Sequence, residues 1–128
     1  MDHFNPGSHG STFGGNPLAA AVASKALDLL YEDNLIDNSH DLGLYFLESL
    51  KALDFTFIKE VRGKGLWIGL ELVNSPIPAK SICKLLLKEG MLCKETHETV
   101  IRFAPPLMIK KEEIDWALEK IKKVFSSL

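Results

Sequence analysis

At 128 residues the chain is one domain's worth of polypeptide, and 46% hydrophobic with 25% charged residues is ordinary for a soluble globular protein. The formal net charge of −2 provides no basic field for nucleic acid or acidic membranes, and no apolar run approaches the ~20 residues that span a bilayer. Met1-Asp2-His3-Phe4 has neither the basic nor the apolar region of a signal peptide, so a cytoplasmic protein without nucleic-acid or membrane partners is expected. Cys83 and Cys93 match no zinc or redox spacing and are expected as reduced thiols.

The first organised segment runs from Gly7 to Pro17 and packs four glycines around Ser11 and Thr12. Glycine lets backbone approach a ligand closely, and the two hydroxyls offer donors to an anion. Asn16 is a good N-cap and Pro17 suits a first helical position. Such a segment builds either a phosphate cradle or an ordinary turn into a helix.

From Pro17 to about Asp33 the pattern is helical, with Leu18, Val22, Leu29 and Leu30 along one side. Its many alanines predict close packing against other surfaces. Asp33-Asn34 breaks the pattern. A second helix is predicted from Ile36 to Leu53, with Leu42, Tyr45, Phe46, Leu50 and Leu53 on its buried face.

The period then changes. Phe55, Phe57, Ile58 and Val61 read as a strand, Arg62-Gly63-Lys64-Gly65 as a tight turn, and Leu66 to Val73 as a second strand of a hairpin, with Trp67 in the core. Arg62 and Lys64 are then solvated turn residues or a hinge contact. Ala79 to Glu89 is a third helix stopped by Gly90. Met91 to Lys94 and Thr99 to Phe103 are two short strands, the latter ended by Pro105-Pro106, with Glu95 and His97 in a polar loop between them. Glu112-Glu113 opens a last helix and Lys120, Lys122 and Lys123 close it, with Ile114, Ala117, Leu118, Ile121 and Phe125 inward. The order α-α-β-β-α-β-β-α predicts an α+β fold, a small mixed sheet with helices packed on one face, preceded by a long connecting helix.

Arg102 stands out in this reading. Val100, Arg102 and Ala104 share one face of their strand, and Ile101 and Phe103 the other. A cation in an apolar strand needs a partner if it is buried, and a guanidinium matches a carboxylate in a two-pronged geometry that lysine cannot copy. A structural ion pair at the sheet edge and a carboxylate-binding role both fit. His9 is read as a loop residue and Cys93 as a small buried one.

Three blocks carry a resemblance. His9-Gly10-Ser11-Thr12-Phe13-Gly14-Gly15-Asn16-Pro17-Leu18 resembles the phosphate-contact segment of class III, fold-type I, pyridoxal-phosphate aminotransferases. Val61-Arg62-Gly63-Lys64-Gly65-Leu66 resembles their small-domain hairpin. Leu92-Cys93-Lys94-Glu95-Thr96-His97 with Val100 to Leu107 is similar to the ornithine-using branch, and less so to the acetylornithine-using one. The resemblance covers essentially the whole chain.

It implies that pyridoxal 5'-phosphate is the cofactor and that Ser11 and Thr12, with Thr12 first, touch the cofactor phosphate of the neighbouring subunit in a homodimer. It implies that Arg102 holds the substrate α-carboxylate, mainly that of the 2-oxo acid. The implied reaction moves the δ-amino group of ornithine to 2-oxoglutarate, giving glutamate 5-semialdehyde and glutamate. The family's cofactor-anchoring lysine lies upstream of the His-Gly-Ser-Thr segment, and the residues before His9 hold no lysine. Residues 1–33 are therefore expected to be a remnant of the cofactor domain with the connecting helix, and residues 34–128 the C-terminal small domain. No catalytic residue is expected in this chain, which alone should be inactive. The other readings are an acetylornithine or other class III ω-aminotransferase, and a non-catalytic α+β binding or assembly module.

Overall fold

The computed structural model describes residues 7 and 10–128, so Ser8 and His9 lie outside the described residues. The chain divides into two compact units, Met1–Asn34 and Leu35–Leu128.

The first unit carries helix α1, Pro17–Glu32. Its start follows from its cap. The Asn16 Oδ1 accepts from the backbone N–H of Leu18 at 2.9 Å and of Ala19 at 3.2 Å, which satisfies two of the donors that a helix N-terminus leaves open. Close packing was the expectation for this alanine-rich helix, yet it has no buried residue. Leu18 is 74% and Val22 62% exposed on the face they share with Leu29. Asn34, with φ of 54°, ends the run; asparagine is among the few residues that take this left-handed conformation readily.

The second unit is an antiparallel sheet with three helices. Its elements are α2 (Leu35–Lys51), β1 (Ile58–Lys64), β2 (Trp67–Leu72), α3 (Ala79–Lys88), β3 (Lys94–Thr96), β4 (Val100–Phe103) and α4 (Lys111–Ser126). The strand order is β1-β2-β4-β3. The α+β architecture is as expected, but the sheet is not mixed: all three pairings are antiparallel. β2 and β3, joined through α3, do run in the same direction. The β3–β4 hairpin folds back so that β4 inserts between them, and the parallel neighbours never meet.

Helices α2, α3 and α4 cover one face of this sheet. Strict alternation sends Ile68, Leu70 and Leu72 of β2 and Ile101 and Phe103 of β4 inward, where they meet Phe46, Leu50, Ile82, Leu86, Ile114, Ile121 and Phe125. The same alternation corrects the placing of Trp67. It shares a face with Gly69 and Glu71, opposite to Ile68, and is 66% exposed. Each helix brings its expected apolar stripe: Phe46 and Leu50 from α2, and all five predicted positions of α4. Glu113 accepts from the Lys110 backbone N–H at 2.8 Å at the start of α4, and Glu112, Glu113 and Lys123 complement its dipole. Between α3 and α4, Glu89 bridges Lys123 at 2.7 Å and Lys120 at 3.4 Å.

The β1–β2 turn also departs from expectation. Arg62, Gly63 and Lys64 belong to β1, paired with Gly69, Ile68 and Trp67, and only Gly65 and Leu66 form the loop. A two-residue hairpin loop with positive φ at its first position suits the twist of the strands, and Gly65 supplies it with φ of 54°. Helix α2 sits directly on this turn. A Cβ on Gly43 would lie 2.2 Å from the Gly65 carbonyl carbon, so backbone packs on backbone, and Ser39 Oγ accepts from the Leu66 N–H at 3.3 Å. β3 is likewise shifted: it begins at Lys94, and Glu95 lies within it, opposite Ile101.

Gly43→Ala should therefore destabilise the chain by about 1–3 kcal/mol through overpacking, although alanine is intrinsically the better helix former. Urea unfolding measures this. A variant as stable as the parent would mean that α2 does not rest on the hairpin turn.

Candidate functional site

The first group of candidate residues is the loop before α1. The Ser11 Oγ accepts from the Gly14 N–H at 2.8 Å, so this hydroxyl closes the turn that delivers the chain to Asn16. Gly14 is confined by that contact, since a Cβ there would lie 2.9 Å from the Ser11 Cβ. The Thr12 hydroxyl makes no hydrogen bond among the described residues, and Thr12 is exposed. Gly10 and Gly15 have open space where a side chain would stand. The result is a short, glycine-lined turn with one hydroxyl engaged in shaping it and one, at Thr12, that makes no hydrogen bond among the described residues. This donor set fits an oxyanion such as a phosphate.

The second group lies on the open face of the sheet. Arg62, Gly69, Arg102 and Lys94 are direct cross-strand neighbours, so one row across all four strands holds three cations and a glycine. The next row is Glu60, Glu71, Val100 and Thr96. Charge is settled at the β1 end. Arg62 Nη1 donates to Glu71 at 2.6 Å and to Glu60 at 2.8 Å, and Lys59 donates to Glu71 at 2.5 Å. The hydrogen bond to Glu71 holds the Arg62 guanidinium above its usual value. Bonds from Lys59 and Arg62 hold the Glu71 carboxyl below the ordinary carboxylate range. Arg62 is thus an ion-paired strand residue.

Arg102 differs. It is exposed and has no ion pair among the described residues, while Lys94 beside it reaches only Glu95, at 3.8 Å. The facing β2 position is Gly69, which leaves the guanidinium without a cross-strand side chain on that side, while Lys94 is its neighbour on β3. A positively charged, unobstructed fork on a flat surface can receive a carboxylate in two-pronged fashion. In the adjoining row the Thr96 Oγ1 is buried without a hydrogen-bond partner among the described residues. Gly69, Lys94 and Thr96 were not singled out from sequence. The alternation in Trp67-Ile68-Gly69-Leu70-Glu71 carried the signal for Gly69, but Lys94 and Thr96 needed the β3–β4 register.

Ser11 and Thr12 belong to the first unit and Arg102 to the second. The cleft of about 570 Å³ beside Phe46, Met91, Phe103, Pro105 and Trp116 includes none of the three. His97 falls in the β3–β4 turn with φ of 51°, and Glu98 follows with φ of 63°. Cys93 is half-buried rather than buried, next to buried Cys83. No cluster of three metal-ligating side chains occurs among the described residues.

The sequence profile described as aminotransferase class-III matches residues 1–125. The chain belongs to the class-III aminotransferase family. It is 60% identical over 125 residues to an ornithine aminotransferase of Geobacillus sp. (strain WCH70), covering 98% of this chain and 31% of that protein. It is 62% identical over 126 residues to an ornithine aminotransferase of Staphylococcus carnosus, with coverages of 98% and 31%. Among solved structures it is similar to an ornithine aminotransferase from Plasmodium yoelii, with a TM-score of 0.86, 40% identity, and coverage of 97% of this chain and 33% of that one. An acetylornithine aminotransferase from Elizabethkingia anophelis gives a TM-score of 0.86 at 39% identity, covering 100% and 34%. The chain thus spans about a third of the length of the relatives it matches.

Two outcomes follow from this surface. Because Arg102 is exposed and has no ion pair among the described residues, Arg102→Ala should change unfolding stability by no more than about 0.5 kcal/mol; a larger loss in urea titration would show a structural role. Because the Glu71 carboxyl is held below its unfolded value, its ion pairs stabilise the fold above a pH of about 4.3 and are lost as pH falls through the folded value. Carboxyl NMR should place the Glu71 midpoint below that of a free glutamate, and Glu71→Gln should flatten that part of the stability–pH profile. A Glu71 midpoint at the free value would contradict the ion-paired geometry.

Proposed function

We propose that this chain is the C-terminal third of a pyridoxal-phosphate-dependent ornithine aminotransferase, which transfers the δ-amino group of ornithine to 2-oxoglutarate and forms glutamate 5-semialdehyde and glutamate. The observation that carries the proposal is identity of about 60% to bacterial ornithine aminotransferases along nearly the whole chain. In this reading residues 1–33 belong to the cofactor domain and its connecting helix, and residues 34–128 are the small domain.

When bound, the cofactor supplies the electron sink that lets an amino group move between carbon skeletons. This chain's contribution is to bind and orient. The fit of the Gly10–Gly15 turn to an oxyanion extends to the phosphate end of the cofactor alone. Thr12 donates its hydroxyl there, while Ser11, already accepting from Gly14, keeps the turn in shape and retains its own O–H as a second donor. Arg102 holds the substrate α-carboxylate, chiefly that of 2-oxoglutarate. Its setting among Gly69 and Lys94 favours an anion and leaves no competing carboxylate within an ion-pair distance among the described residues. The amine that takes the cofactor covalently is expected in the portion of the relatives that this chain does not span. The phosphate site is read as shared between subunits of a homodimer. The uncovered apolar side of α1, with Leu18, Val22 and Leu29, suits such an assembly.

The likeness to an acetylornithine aminotransferase at the same TM-score favours acetylornithine as the second donor to test. In the enzyme that carries this chain as its C-terminal part, ornithine should support turnover with 2-oxoglutarate and N-acetylornithine should support little; the opposite preference would replace the proposed substrate. Thr12→Val in that enzyme should weaken cofactor retention roughly tenfold or more, as expected for losing a hydrogen bond to a charged group. Absorbance of the bound cofactor after dialysis measures this, and unchanged retention would remove Thr12 from the phosphate site.

A further inference from the structure

Cys83 and Cys93 take no part in the proposed transamination. Cys83 lies on the sheet-facing side of α3 with Ile82 and Leu86, and is buried. Cys93 sits three residues beyond the Gly90 that stops this helix, one residue before β3, and is half-buried. The turn at Gly90, with φ of 92°, and the bond from the Met91 N–H to the Leu86 carbonyl at 2.9 Å fold the chain back along α3. That reversal brings the two cysteines together. Both line one surface cleft of about 310 Å³, with Lys80 and Lys84 of α3, Lys94 and Glu95 of β3, and Leu92 beside them. The two thiols face the same cleft, near enough for each to perturb the ionisation of the other.

The nearby Cys93 thiol holds Cys83 below the usual thiol value. The neighbouring Cys83 sulfur, together with burial, pushes the Cys93 thiol well up. Lys94 favours a thiolate at Cys83 and Glu95 opposes it. Three lysines against one glutamate leave the cleft positive. A thiolate is the reactive form of cysteine, and reactive cysteines sit in electropositive, partly open settings with a second thiol at hand.

We propose that Cys83 and Cys93 form a reversible dithiol–disulfide site that is oxidised by a hydroperoxide small enough to enter the lysine-lined cleft. The Cys83 thiolate attacks the terminal peroxide oxygen, the O–O bond breaks, and the departing hydroxide or alkoxide takes a proton to leave as water or alcohol. The resulting Cys83 sulfenic acid is attacked by the Cys93 sulfur as its thiol proton is lost. The S–S bond forms and the S–O bond breaks, releasing water. With hydrogen peroxide, two thiols and one peroxide give one disulfide and two waters; the sulfurs are oxidised and the peroxide oxygens reduced. A thiol reductant reverses the change by exchange. The bond ties α3 to the residue before β3, the strand whose Lys94 pairs with Arg102. The proposal stands apart from the role given to Arg102 and does not depend on the substrate.

The test treats the reduced full chain with hydrogen peroxide, blocks remaining thiols with N-ethylmaleimide, and maps non-reduced tryptic peptides by mass. Cleavage separates the cysteines onto residues 81–84 and 89–94. The expected result is joint loss of both thiols in a monomer. The two peptides should be joined with loss of two hydrogens, and dithiothreitol should restore both thiols. Cys93→Ser, at the half-buried position, should leave Cys83 unable to form any intramolecular link, so that peroxide yields sulfenic or higher acids there. Cys83→Ser should likewise abolish the link. The proposal is overturned if both thiols of the parent chain remain open to the blocking reagent after peroxide, if either is oxidised singly to sulfinic acid, or if the link forms between chains.

Discussion

Within residues 35–128, three helices cover one face of the sheet and none covers the other, and that asymmetry organises the rest. Ile68, Leu70 and Leu72, with Ile101 and Phe103, bury against α2, α3 and α4, which fixes the register because a one-residue slip would turn the apolar set outward. The same alternation presents Trp67, Gly69, Glu71 and Arg102 on the other side. Hydrophobic burial on one face thereby sets the position of every polar group on the other. The contact of Gly43 with Gly65 anchors this arrangement at the hairpin, where no side chain separates the helix from the turn.

On the bare face the electrostatics are uneven. At the β1 edge, Glu60 and Glu71 are matched by Arg62 and Lys59. Toward β3 the balance fails: among the described residues Arg102 has no ion pair and Lys94 reaches only Glu95, at 3.8 Å. Surface ion pairs contribute little to stability, so the matched end is best seen as ordinary solvated sheet. The unmatched end is the part with chemistry to spare. An exposed guanidinium there pays no desolvation cost, and under the proposed role its attraction to a carboxylate would strengthen wherever water is excluded.

Much of this was legible in the sequence because it rests on period. The helical stripes of α2 and α4, the Asn16 cap and the two faces of β4 follow from spacing alone, and so does the α+β class. The errors arose where period is silent. Hydrophobicity alone places Trp67 inward, whereas alternation with Ile68 sends it outward. Arg62-Gly63-Lys64-Gly65 looked like a turn by composition, yet backbone pairing continues to Lys64 because Gly65 alone provides the conformation that the loop needs. The sheet was expected to be mixed because chain order does not say that β4 inserts between β2 and β3. Of the candidate site, Thr12 is named by the resemblance and Arg102 by strand alternation together with the resemblance, while the lack of a hydrogen bond at Thr12 among the described residues, the glycine opposite Arg102 and the shared cleft of Cys83 and Cys93 are tertiary facts.

The most direct measurement is steady-state kinetics of the enzyme carrying this chain, with Arg102→Lys beside the parent and with thermal unfolding measured on both. Lysine keeps the charge and loses the fork. A rise of roughly tenfold or more in the KM for 2-oxoglutarate, with the unfolding temperature unchanged, is the result expected if Arg102 receives the carboxylate. Unchanged kinetics would contradict it, and a loss of stability without a change in KM would return Arg102 to a structural role.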